Sequence, residues 1–149
     1  MDTIQTLFVA GFGAFSFSGF YLGLKNCVKK KNPYGLTRKY NVIGSFVWAD
    51  AVVFGAFWVI MSIISLVFSS WILFLITQSI FWLIRSIGET IYWFNQQFAM
   101  KNRNPAHTLF ISKIFPGDSV WVAMQIFWQC VAVLTSVSTL YLAKVFFKI

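Results

Sequence analysis

Three charged side chains fall inside long apolar stretches of this sequence: Asp50, Arg85 and Glu89. By insertion scales each would cost about 2.5–3.5 kcal/mol at the centre of a bilayer, so such residues persist there for a reason. If the second apolar run opens at Val42, Asp50 lies about eight residues into it, roughly 12 Å below the polar boundary. Arg85 lies about 13 Å below the matching boundary near Phe94. Opposite charges at similar depth on consecutive crossings predict an Asp50–Arg85 ion pair, since either one alone would be uncompensated in hydrocarbon. Glu89 stands one helical turn beyond Arg85 and can share its guanidinium at i,i+4 spacing.

Amides extend the pattern. Gln78, Trp82, Arg85, Glu89, Tyr92 and Gln96 alternate at spacings of four and three, which is one polar and aromatic helix face that lipid does not suit. Gln125, Gln129, Ala132 and Ser136 make a matching face on the last apolar run, with the two amides at depths of about 8 and 14 Å. The expected site is therefore an intramembrane polar cluster of Asp50, Arg85, Glu89, Gln78, Gln125 and Gln129. It has two possible chemistries. One is hydrogen-bonded glue that fixes helix register, at about 0.6 kcal/mol per interhelical bond. The other is a water-accessible ion or proton site in which Asp50 or Glu89 binds and Arg85 tunes.

Reaction chemistry has little support. The sequence has no Gly-x-Ser-x-Gly, no phosphate loop and no His-Glu-x-x-His, and it holds only four acidic residues, one histidine and two cysteines. That excludes a zinc, haem or iron–sulfur site built from this chain alone, so no metal and no cofactor are expected. His107 reads as an ordinary loop residue. Cys27 and Cys130 are not expected to form a disulfide. Thr135, Ser136, Ser138 and Thr139 should bond their own helix's carbonyls.

The elements that must position these groups follow from composition. Of 149 residues, 58% are hydrophobic, 20% aromatic and 11% charged. Soluble domains carry about a quarter charged residues, so this is the composition of an integral membrane protein. Apolar runs at about 4–24, 42–68, 71–94 and 120–143 predict an all-α protein, a single polytopic domain over 1–149 with four spans in an antiparallel bundle. The first run has Asp2 before it and Lys25 and Lys29–Lys31 after it. That order suits a retained span with its N-terminus outside rather than a cleaved signal. Gly19 and Gly23, four apart, would let another helix approach closely. Ser69 and Ser70 mark the tight turn between the second and third spans, and Leu109–Phe115 is expected to lie in the interface.

Charge sets the threading. The connections 25–41 and 95–119 hold Lys25, Lys29, Lys30, Lys31, Arg38, Lys39, Lys101, Arg103 and Lys113, while the opposite side holds only Lys144 and Lys148. Both connections are therefore expected in the cytoplasm and both termini outside. Tyr21, Tyr40, Tyr92, Trp93 and Trp121 would form the inner aromatic belt, with Trp71 and Tyr141 at the far side. The net charge of +8 then addresses anionic lipid headgroups through Lys29, Lys30, Lys31, Arg38 and Lys39, not nucleic acid. The functional expectation is a non-catalytic accessory or assembly subunit of a larger membrane complex, or a homo-oligomer built through the small-residue face of the first helix. The alternative is a small ion- or proton-coupled transporter or channel using Asp50 or Glu89 with Arg85. A lipid-processing enzyme is a third possibility.

Overall fold

An apolar chain in hydrocarbon must satisfy its backbone hydrogen bonds internally, and the helix does so segment by segment. A computed structural model describes residues 1–99 and 110–148. The described residues are helical, with four helices long and apolar enough to cross a membrane: α1 (Thr3–Leu24), α2 (Trp48–Val67), α3 (Trp71–Phe98) and α4 (Ser119–Phe147). They divide into two packing units, Met1–Thr77 and Gln78–Ile149.

In the first unit, α1 opens on a reciprocal cap. The Asp2 carboxylate accepts from the Gln5 N–H at 2.8 Å, and the Gln5 side chain accepts from the Asp2 N–H at 3.1 Å. The helix runs on through a π turn, Lys25–Lys29, and closes at Lys31 with φ of 49°. Here the Asn32 N–H reaches back to the Asn26 carbonyl at 3.1 Å. Small residues then let α1 and α2 touch backbone to backbone. A Cβ added to Gly55 would lie 2.7 Å from the Phe20 nitrogen and 2.9 Å from the Ser16 carbonyl oxygen. Gly23 meets Trp48 and Val52 in the same way, and Gly13 meets Ser62, so the two helices run in opposite directions. Gly19 instead faces Tyr40 and Ile43. An aromatic cluster closes the far end: Phe12 lies 5.3 Å from Trp58 and 5.5 Å from Phe74, and Trp71 stacks on Phe74 at 5.6 Å.

The second span opens at Trp48, not at Val42. The apolar residues Val42, Ile43, Phe46 and Val47 belong to a folded loop whose ends are tied by a bridge between Leu36 and Val47. Thr37 supports the bridge, its hydroxyl donating to the Ser45 carbonyl at 2.6 Å and its N–H to that of Phe46 at 3.1 Å. Inside the loop a 3-10 turn, Arg38–Ile43, ends at Gly44, whose φ of 78° suits glycine. The tip folds back onto its own helices. The Tyr40 ring lies 5.1 Å from that of Phe15, its hydroxyl pairs with Ser18 at 3.2 Å, and the Ile43 carbonyl accepts the Trp58 indole N–H at 3.2 Å. Tyr40, one of the aromatics expected in the inner belt, is 6% exposed. At the other end, α2 and α3 join through Ser69 at φ 46°, whose carbonyl accepts from the Met1 ammonium at 3.0 Å. The chain's first residue and the α2–α3 turn therefore share one end of this unit.

In the second unit, α3 extends to Phe98, beyond the expected 94, and α4 covers 119–147 rather than 120–143. The Ser79 hydroxyl pairs with Thr139 Oγ1 at 2.8 Å and bonds the Thr135 carbonyl at 3.1 Å. At the opposite end of α3, the Gln97 amide donates to Gln125 Oε1 at 2.5 Å. These contacts also run in opposite order along the two helices. Of the expected interfacial segment, Phe110–Lys113 forms a single 3-10 turn, and Leu109 lies outside the described residues.

Candidate functional site

Asp50 stands in the first turn of α2, because that helix starts six residues later than the hydropathy suggested. Its carboxylate accepts from the N–H groups of Phe46 at 3.1 Å and Val47 at 3.3 Å. Helix N-termini leave such donors without intrahelical partners, and the macrodipole favours a negative charge there. Asp50 thus fixes the exit of the 36–47 loop and the start of α2 together.

On α3, an Arg85 guanidinium nitrogen lies 2.7 Å from Glu89 Oε1, with the two side chains 21% and 14% exposed. The other carboxylate oxygen accepts the Trp93 indole N–H at 3.1 Å. One carboxylate therefore joins a guanidinium and an indole, and the charge-assisted bonds offset part of the desolvation of both ions. One turn further, Gln97 bonds the Trp93 carbonyl at 3.4 Å and crosses to Gln125 on α4. Arg85, Glu89, Trp93 and Gln97 form a strict i,i+4 row, continued onto α4 by the last amide.

Of the expected cluster, then, the structure joins Arg85 to Glu89 and ties Gln125 to Gln97, while Asp50 engages the backbone at its own helix start. Gln78 is half-buried and Gln129 is exposed, and neither makes a hydrogen bond to a described residue. The sequence reading missed Trp93, Gln97 and Ser79 as partners. The i,i+4 spacing from Arg85 was the available signal, hidden by a second polar row at spacings of four and three. Trp93 and Trp121, expected in an interfacial belt, are buried. The α4 hydroxyls do bond their own helix, with Thr135, Ser136, Ser138 and Thr139 reaching carbonyls three or four residues back at 2.7–3.1 Å.

Lys29, Lys30, Lys31, Arg38 and Lys39 are all exposed, interspersed with exposed Val28, Tyr34 and Leu36. Lys101, Arg103 and His107 lie outside the described residues. Among the described residues no three metal-ligating side chains gather, and Cys27 and Cys130 carry free thiols. An apolar groove between α1 and α2 is lined by Ala10, Gly13, Phe17, Val59, Ser62 and Leu66 among others, a set with no acid, base or strong nucleophile. In comparisons with known proteins, no family model, no curated protein and no solved structure matches this chain.

Proposed function

We propose that this multi-pass membrane protein is a non-catalytic assembly or accessory component held together by polar contacts between its helices. The carrying observation is that four polar contacts close within the chain: Arg85 with Glu89 and Glu89 with Trp93 along α3, and Gln97 with Gln125 and Ser79 with Thr139 between α3 and α4. A conducting or substrate-binding path needs groups left available to a ligand, whereas a register lock needs them satisfied. In this reading the four helices form one antiparallel bundle. Both basic connections lie on the cytoplasmic side against anionic headgroups, and both termini lie outside.

The reading also pairs Asp50 with Arg85. Counted in residues along each helix from the 68–70 turn, the path to Asp50 is about 26 Å on α2, and the paths to Arg85 and Glu89 are about 21 Å and 27 Å on α3, which supports this pairing. The test is a charge exchange. Asp50→Arg and Arg85→Asp are each expected to lower the yield of folded protein in detergent, and the double exchange to recover only the part due to the pair, because an arginine at 50 cannot accept from the Phe46 and Val47 N–H groups. The competing reading, ion or proton coupling through Asp50 or Glu89 with Arg85, draws on the placement of a charged pair within an apolar helix. It predicts pH-gradient-driven flux in liposomes that Glu89→Gln abolishes without loss of fold. Such flux would displace the assembly reading.

A further inference from the structure

Helix α4 carries an exposed row at alternating spacings of four and three: Val122, Ile126, Gln129, Val133, Ser136 and Leu140. Val122, Ile126, Val133 and Leu140 are 43%, 52%, 64% and 72% exposed, and Ser136, whose hydroxyl is turned onto the Ala132 carbonyl, is half-buried. A 3.5-residue repeat of this kind is the seam of a left-handed helix pair. In the middle of the row stands the Gln129 amide, exposed and making no hydrogen bond to a described residue. Gln129 is ten residues beyond Ser119, about 15 Å along a helix apolar enough to span the bilayer. An amide at that depth, facing lipid, has neither water nor protein to bond, which is a costly arrangement.

We infer that this row is an interface between α4 helices of two copies of the chain, with the Gln129 amides hydrogen-bonded to each other across a two-fold axis. The occupant follows from the amide's chemistry and from geometry. A carboxamide offers a donor and an acceptor, so two of them satisfy each other reciprocally. Copies inserted in the same orientation place Gln129 at the same depth, and a two-fold interface brings a residue near the axis onto its own mate. A polar side chain at one core position of a helix pair also specifies register and partner number. The small-residue face of α1 is a poorer interface, because Gly13, Gly19 and Gly23 are already packed against residues of the same chain. This inference rests on the membrane-protein reading above, but not on whether the protein conducts ions.

The experiment uses the full chain reconstituted in liposomes, with donor- and acceptor-labelled copies mixed and energy transfer followed as the protein is diluted into lipid. Gln129→Leu is expected to weaken association at least tenfold, and Gln129→Asn to preserve most of it. Helix content and thermal midpoint verify that both variants fold. In parallel, single cysteines are placed along 122–140 in a Cys27→Ser, Cys130→Ser background and oxidised in membranes. Cross-linking is expected to peak at 126, 133 and 140 and to be minimal at 127 and 134. Unchanged association in Gln129→Leu, or cross-linking without the 3.5-residue period, would overturn the inference. Association of Gln129 only with a different membrane protein would also overturn it.

Discussion

Reversal of the chain between α2 and α3 falls on Ser69, at φ 46°. An L-residue pays about 1–2 kcal/mol in this region, and glycine pays none, although it loses more entropy on ordering. Ser69→Gly should therefore stabilise the fold by about 0.5–1 kcal/mol, read as a raised thermal midpoint in detergent. A second pair of positions separates conformational preference from packing. Gly88 on α3 has open space where a Cβ would stand, so Gly88→Ala should stabilise by up to about 1 kcal/mol through helix propensity. Gly55 is also helical, but a methyl there would collide with the α1 backbone at 2.7 Å. Gly55→Ala should cost about 1–3 kcal/mol, the range for overpacking, despite the same gain in propensity. Equal midpoints for the two alanine variants would refute the close α1–α2 approach.

The start of α2 depends on Asp50 taking the Phe46 and Val47 N–H groups. Asp50→Ala leaves both donors without this acceptor and should cost about 1–2 kcal/mol, as other helix-start replacements do, whereas Asp50→Asn keeps an acceptor oxygen and should cost less. Hydrogen exchange is the measurement that localises the effect, with faster exchange in the alanine variant over 37–47 than over α4. This element also shows where sequence reading reached its limit. The four apolar runs were legible because a bilayer demands long uninterrupted hydrophobicity. The boundary at Trp48 was not, because a loop that tucks Tyr40 and Ile43 against its own helices needs the same apolar residues that a span needs. The Arg85–Glu89 contact could be read from i,i+4 spacing alone. The Gln97–Gln125 contact could not, since Gln96 and Gln97 are both amides and only the rotation of α3 against α4 chooses between them.

Threading through the membrane can be tested against one fixed relation. The Met1 ammonium bonds the Ser69 carbonyl, so the first residue and the α2–α3 turn belong to one end of the first unit. The π turn and the loop to Val47 join the opposite ends of α1 and α2. The basic residues follow the same division: Lys25, Lys29, Lys30, Lys31, Arg38 and Lys39 lie in that connection, and none lies before α1 or in the 68–70 turn. An excess of lysine and arginine is retained in the cytoplasm, which predicts that Met1 and Ser69 face outward together. In a Cys27→Ser, Cys130→Ser background, Thr3→Cys and Ser70→Cys should react with a membrane-impermeant maleimide on intact cells, and Lys30→Cys only after the membrane is opened. Neutralising Lys29, Lys30 and Lys31 to glutamine while adding lysines at Phe68 and Ser69 should move a fraction of molecules to the inverted orientation. In those molecules positions 3 and 70 must change sides together, because the same helix pair holds both. Labelling that finds these two positions on opposite sides of the membrane would refute the α1–α2 hairpin itself, whichever orientation the charges favour.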